Sequence, residues 1–343
     1  MSLTTPRLTI GIAGSTQFTT KIAEEFFSDP SYSISFVLSP SAKPVGKQAI
    51  LTDNPLHIFA QQRKIPSIQV AKRIDQTIQQ DIQEHTYDLD ILLVVDFGYR
   101  IPKWLLHSSK HPPLNVHPSK LPEWRGSSPG QAVLLSGAGT SAVTVIQMDE
   151  LLDHGPILFQ ESFVVSDQWF QSDYYQFAFD LSIPKLPQLV TDYALGKLTV
   201  RPQPEKSPTP IARELSRDDG YVAWELIRQI MDTERMGLSE LNQEQVNSQL
   251  SPYLGMIWKH ILESYPGDQS NNRKNLVEYL VRASRALSPW PGLWTTVQTV
   301  KGEKRMKLLE LISNESTALN IRRVQIAGQQ PALWNQVKNS VVI

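Results

Sequence analysis

Hydrophobic positions over the first two hundred residues fall into short unbroken runs separated by stretches with helical spacing. Residues 8–13 are apolar and stop at Gly14-Ser15-Thr16, a turn, and residues 21–27 then have helical spacing. Residues 34–38 form a second apolar run, followed by a loop rich in Ser, Pro and Gly at 39–46. Residues 56–62 read as helix, 67–70 as a short strand and 74–83 as helix. Residues 89–95 are continuously apolar, as expected of a strand buried on both faces. The runs at 114–116, 142–148 and 157–163 continue the series. This alternation predicts an α/β domain with a Rossmann-like, mostly parallel sheet covered by helices on both faces. Ligands of such sheets bind beyond the carboxyl ends of the strands, so the residues just after Val95 and Val116 are the first candidates for chemistry.

The pattern then changes. A long helical stretch, about 172–196, closes the first domain, taken as 1–200. Residues 201–210 hold four prolines among polar residues and read as an extended linker, running to about 222. Residues 224–287 are helix-like and charged. From Trp294 onward short alternating runs (293–300, 306–312, 321–326) predict a small β-rich domain, within a terminal region taken as 223–343. No internal repeat or low-complexity tract is evident.

Composition narrows the function classes. An apolar fraction of 41 % and a charged fraction of 20 % are those of a globular protein. No apolar run reaches the roughly 18–20 residues of a membrane-spanning helix, and residues 1–7 lack the basic start and apolar core of a secretory signal. With 0 cysteines, disulfides, thiolate metal sites and cysteine nucleophiles are excluded. A cytoplasmic monomer without membrane contact is expected. Net charge is −1 but uneven: residues 281–343 carry nine Lys or Arg and three Glu, a net +6, leaving −7 for the remainder. A basic terminal segment on a neutral chain suits contact with a phosphate backbone, and equally a solvated basic face.

Candidate chemistry concentrates between residues 114 and 160. Asn115 and His117 stand two apart at a strand end, where period-2 geometry points both to one side. Asp153 follows a later strand, in a turn ending at Gly155. A carboxylate beside an imidazole favours its cationic form and fixes its orientation, and an Asn amide can donate to a developing oxyanion. Each residue has a plainer reading: a loop histidine, a turn former, a cap. Together they suit acyl-type transfer. No metal-ligand spacing is seen, and no metal is expected.

The stretch Asn115-Val116-His117-Pro118-Ser119, with Leu121-Pro122, Arg125-Gly126 and Met148-Asp149-Glu150-x-x-Asp153-x-Gly155, resembles the signature of the 10-formyltetrahydrofolate-dependent formyltransferases. The 36-residue interval from His117 to Asp153 matches that family. Asp96-Phe97-Gly98-Tyr99-Arg100-Ile101-Pro102 resembles its folate-side loop. Pro40-x-x-Lys43-Pro44-x-Gly46-Lys47 resembles the basic loop of the branch that formylates methionyl-tRNA. Ala212-x-x-Leu215-Ser216-x-Asp218-Asp219-Gly220, Trp224 and Arg285-Ala286-Leu287-x-Pro289-Trp290-Pro291-Gly292-x-Trp294 resemble that branch's linker and terminal domain. The resemblance implies catalysis by Asn115, His117 and Asp153 and an OB-like terminal domain. It also implies 10-formyltetrahydrofolate as co-substrate, with Ser119, Lys120, Leu121, Pro122, Phe97, Gly98, Asp149 and Glu150 toward the folate. Initiator methionyl-tRNA would be the acceptor, held through Lys43, Lys47, Lys304, Arg305, Lys307, Arg322 and Arg323. Lys120 departs from the family's usual leucine, residues 227–275 read as a helical insertion, and the terminal domain looks shortened between Leu311 and Ile321. Two alternatives stand beside this reading: another amine acceptor, such as a nucleotide-linked amino sugar or a glycinamide nucleotide, and a non-catalytic RNA-binding relative.

Overall fold

A computed structural model describes residues 7–45, 49–231, 243–264, 272–313 and 318–341. The chain divides into two compact units: Met1–Arg125 with Ala142–Phe163 and Gln176–Ser207, and Gly126–Ser141 with Val164–Tyr175 and Pro208–Ile343. Among the described residues no helix is long and apolar enough to cross a membrane.

The first part of the chain forms β1 (Leu8–Gly14), α1 (Gln17–Ser28), β2 (Tyr32–Pro40), β3 (Lys43–Val45), β4 (Ile50–Thr52), α2 (Pro55–Arg63), β5 (Ser67–Val70) and α3 (Gln76–Gln83). It continues through β6 (Ile91–Val95), α4 (Lys103–Leu106), β7 (Leu114–His117), α5 (Pro129–Ser136), β8 (Thr140–Gln147), β9 (Ile157–Val164), α6 (Gln171–Ser182) and α7 (Leu186–Ala194). Seven strands make one sheet in the order β5-β2-β1-β6-β7-β8-β9. The pairs from β5 to β7 are parallel, and β8 runs antiparallel to β7. This is the mostly parallel, Rossmann-like α/β sheet that the alternating runs predict. All of Ile91–Val95 is buried, as befits a central strand covered on both faces. Because β1 lies between β2 and β6, the chain order reverses beside β1, which opens a crevice at the carboxyl ends of these strands.

Local chemistry sets the helix limits. Asn54 caps α2 by accepting from Leu56 N at 3.0 Å, with Pro55 in the first turn, where its missing N–H costs nothing. Asp75 caps α3 through the N–H groups of Thr77 and Ile78. Two expectations are corrected. The single helix expected over 172–196 is broken into α6 and α7 at Ile183-Pro184-Lys185, because Pro184 donates no N–H and its ring crowds the preceding turn. The expected loop 39–46 contains β3, which pairs with β4 as a hairpin. Three-residue strands with a proline on one of them leave no readable alternation.

The second unit contains α8 (Trp224–Met231), α9 (Gln243–Gln249), α10 (Pro252–Ser264) and α11 (Asn272–Ala286). These are followed by β10 (Trp294–Thr299), β11 (Gly302–Ser313), β12 (Leu319–Ile326), β13 (Ala332–Leu333) and α12 (Trp334–Val337). The four strands form a separate antiparallel sheet in sequence order, and a bridge joins Thr299 of β10 to Val341. Residues 314–317, where shortening was expected, lie outside the described residues, as do 232–242 and 265–271 within the expected insertion. The described helices of that insertion bury Leu254, Ile257 and Trp258 of α10, and the Tyr279 hydroxyl of α11 donates to Leu254 O at 2.8 Å. They are thus part of the unit's core.

At the start of this unit Asp219, with a side chain 4 % exposed, accepts from Arg213 Nη1 at 2.8 Å and Nη2 at 2.6 Å. It also accepts from Ser216 N at 2.6 Å and Ser216 Oγ at 2.9 Å. Burial pushes the carboxyl up, but the hydrogen bonds from Arg213 and Ser216 outweigh it and hold Asp219 below the ordinary carboxylate range. A folded-state value under the unfolded value of about 3.9 gives stability above that pH, lost as pH falls through the folded value. Asp219→Asn is therefore expected to lower unfolding free energy by about 2 kcal/mol near neutral pH. In urea titrations the gap from wild type should shrink in acid; a constant gap down to about pH 2 contradicts the assignment.

Candidate active site

β7 is buried because both neighbouring strands pair with it, and its last residues emerge at the carboxyl edge of the sheet. Asn115 and His117, two apart on β7, project to the same side. Asn115 Nδ2 donates to Asp153 Oδ1 at 3.2 Å, and His117 Nδ1 lies 3.7 Å from the same oxygen. The three residues expected to converge do so. His117 Nε2 lies 3.1 Å from Trp124 O. A carbonyl can only accept, so Nε2 donates there, and a second proton on the ring enters at Nδ1, facing Asp153. The side chains of His117 and Asp153 are 5 % and 12 % exposed, so salt screens the interaction between them only weakly.

The turn that carries Asp153 is tightly specified. Asp153 has φ 48°, a left-handed conformation that Asp tolerates better than most side chains. At Gly155 an added Cβ would stand 1.8 Å from Gln147 O at the end of β8. The turn can press against β8 only because residue 155 has no side chain. From the polar stretch after α7, Gln203 Nε2 donates to Asp153 O at 3.0 Å and to Gly155 O at 2.7 Å. Gln203 Oε1 in turn accepts from Arg125 Nε and Nη2, at 3.3 and 3.1 Å. Arg125, buried, also donates to Pro204 O at 2.8 Å and Glu205 O at 3.1 Å. Burial pushes its pKa down, while Asp153 and Asp149 pull it back up.

The folate-side candidates divide. Ser119 and Leu121 are buried, and their polar groups are used within the fold: Ser119 Oγ donates to Glu123 O at 2.7 Å, and Leu121 O accepts from Gln160 Nε2 at 2.9 Å. They shape the loop, and Lys120 between them is exposed. Pro122 is half-buried, and its carbonyl accepts from Ser207 Oγ at 2.9 Å. Phe97 stacks at an angle on Tyr99, centroids 5.2 Å apart, and Gly98 faces open space. Asp149 accepts from Leu151 N and faces His154 Nδ1, both at 2.9 Å. Glu150 pairs with Lys103 at 2.6 Å on the surface, a contact that lowers its pKa. Leu151 and Leu152, next to Asp153, are 62 % and 58 % exposed.

The basic candidates are dispersed. Lys43 is exposed on β3, and Lys47 lies outside the described residues. On β11, Arg305 and Lys307 share the face opposite the buried Met306 and Leu308, whereas Lys304 alternates to the other side. Arg305 lies 3.9 Å over the Trp294 ring, and burial together with Arg217 lowers its pKa. Lys307 is the cross-strand partner of Trp294 and Gln325, and Arg323 that of Glu310. Arg322 is paired with Glu310 at 3.1 Å, which offsets its charge.

The family model described as formyl transferase matches residues 7–183. The chain belongs to the formyl transferase family. A methionyl-tRNA formyltransferase of Anaplasma phagocytophilum (strain HZ) is 35 % identical to this family member over 151 residues, 43 % of this chain and 48 % of that protein. One from Listeria monocytogenes serotype 4a (strain HCC23) is 30 % identical over 213 residues, 62 % of this chain and 66 % of that protein. The chain thus spans about half the length of the first of these relatives. An N-formyltransferase of Helicobacter canadensis, solved with folinic acid and dTDP-3-aminofucose, shares the fold at TM-score 0.53 and 14 % identity, over 94 % of this chain and 96 % of that one.

Gln203 and the Trp124 carbonyl were not among the sequence candidates, and Arg125 entered only as a motif letter. A buried arginine in a loop was a legible signal; a glutamine in a proline-rich stretch was not. In this family member, Gly155→Ala is expected to lower unfolding free energy by about 3 kcal/mol or to displace the Asp153 turn, since its Cβ meets backbone rather than a movable side chain. A variant with wild-type melting and an unmoved Asp153 would show that the turn has slack.

Proposed function

We propose that this chain transfers a formyl group from 10-formyltetrahydrofolate to the amino group of methionine on initiator methionyl-tRNA. The observation that carries the reading is the convergence of Asn115 and His117 on one carboxylate oxygen of Asp153 at the carboxyl edge of a formyl transferase sheet. The methionyl-tRNA formyltransferases aligned at 30–35 % identity support the acceptor, as do Arg305, Lys307 and Arg323 on the antiparallel sheet.

The residues fit a folate. Exposed Leu151 and Leu152 offer apolar contact next to Asp153 in the chain, and the half-buried Phe97 with the open space at Gly98 offers apolar surface and room after β6. The buried Leu121 and half-buried Pro122 belong to the loop after β7. Bound there, 10-formyltetrahydrofolate supplies an activated formyl carbon. Asn115 uses one N–H on Asp153 and has a second to offer the oxygen on which negative charge develops. His117, protonated at Nδ1 and anchored at Nε2 by Trp124, adds positive charge to the same place. Asp153 holds that charge and takes up the proton that the acceptor amine loses as its nitrogen bonds the formyl carbon; the bond from that carbon to N10 of the folate breaks, and the proton passes from Asp153 to N10 of the departing tetrahydrofolate.

Purified protein given labelled 10-formyltetrahydrofolate should label methionyl-tRNA, and not a nucleotide-linked amino sugar or glycinamide ribonucleotide. Label on either of those with none on tRNA overturns the acceptor; label on none makes the chain a binding relative. Arg305→Gln and Lys307→Gln are each expected to raise the KM for tRNA with kcat kept, and to reduce the salt slope of log KM by about 1. Unchanged slopes would make this face solvated surface only.

A further inference from the structure

We propose that Gln203 is a positioning residue for Asp153, and that the stretch after Arg201 is thereby part of the catalytic apparatus rather than a spacer. The proposal rests on the reading of Asp153 as proton acceptor. Asp153 stands in a left-handed turn, and residues 153 and 155 lie between the end of β8 at Gln147 and the start of β9 at Ile157. Both carbonyls accept from the two N–H groups of one amide, Gln203 Nε2, at 3.0 and 2.7 Å. An amide held at two points on one turn fixes both the location of the Asp153 backbone and its rotation. The Asp153 carboxylate is two bonds from that backbone, so the fixation sets where Oδ1 falls between Asn115 and His117.

The amide itself is held from the other side. Arg125 donates two N–H groups to Gln203 Oε1 and further ones to Pro204 O and Glu205 O. A guanidinium bonded to an amide oxygen polarises that amide and strengthens its N–H groups as donors. The order Arg125 to Gln203 to residues 153 and 155 is directional: the amide accepts from the arginine through its oxygen and donates its two N–H groups to the carbonyls, which a carboxylate cannot do. Glutamate at 203 retains the first half and loses the second. It would bind Arg125 more tightly through a charge-assisted pair but set its other oxygen, with no hydrogen to give, against the two carbonyls.

That asymmetry supplies the test. Gln203→Glu and Gln203→Met are compared with wild type and with His117→Ala, by thermal melting and by single-turnover formyl transfer to methionyl-tRNA. If Gln203 positions Asp153, Gln203→Glu melts like wild type, keeps its KM for 10-formyltetrahydrofolate, and loses about 10- to 100-fold in the transfer rate, the scale of a small misplacement of a reacting group. Gln203→Met, uncharged and of similar length, shows the same loss in rate, which separates lost donation from added charge. If Gln203 only ties the chain together, Gln203→Glu keeps the full rate and Gln203→Met loses stability without a specific fall in kcat; that pattern overturns the proposal. A rate in His117→Ala close to wild type would instead overturn the catalytic reading on which it rests, so the two failures are distinguishable.

Discussion

The site depends on one close approach: the backbone at Gly155 lies so near Gln147 O that no side chain fits between them. That contact brings the turn after β8 over the carboxyl end of β7. Asp153 can then meet both Asn115 and His117 although it is 36 residues from the nearer of them in sequence. Everything else at the site adds direction to this arrangement. The sheet order places β7 beside β6, Trp124 orients the imidazole, and the Arg125 and Gln203 side chains anchor the turn from outside.

The surroundings of Asp153 are donors and cations: its Oδ1 accepts from the Asn115 amide and faces the His117 ring, and the buried Arg125 guanidinium lies nearby. The position of Asp153 at the edge of the sheet, beside exposed Leu151 and Leu152, leaves it next to surface that a largely apolar ring could cover. The loop after β7 is ordered by internal bonds of Ser119 and Leu121, so the polar atoms of these two are used within the fold.

Much of this was legible in the chain. The apolar runs at 89–95 and 8–13 reported strands, observed at Ile91–Val95 and Leu8–Gly14, because burial on both faces removes the need for polar alternation. Asn115 and His117 were legible because a period of two is rigid. Less legible was α5, whose all-apolar face has no helical period to read, and the β3–β4 hairpin, too short and too proline-rich to show alternation. The helix break at Ile183-Pro184-Lys185 was visible as a proline but masked by flanking residues with helical spacing. Gln203 was hidden for a different reason. Its partners are backbone carbonyls about fifty residues away, and a contact to backbone leaves no mark on the partner's residue type. The basic tail was legible as charge but not as surface: strand alternation separates Lys304 from Arg305 and Lys307, and Glu310 takes up Arg322.

The most direct measurement of the central claim is the single-turnover rate of formyl transfer by Asp153→Asn, with 10-formyltetrahydrofolate affinity measured in parallel. Asparagine keeps the size of the side chain and removes the proton acceptor and the charge opposite His117. The rate is expected to fall by about 10²-fold or more with folate binding largely unchanged. A rate close to wild type would contradict the account and remove Asp153 from the chemistry.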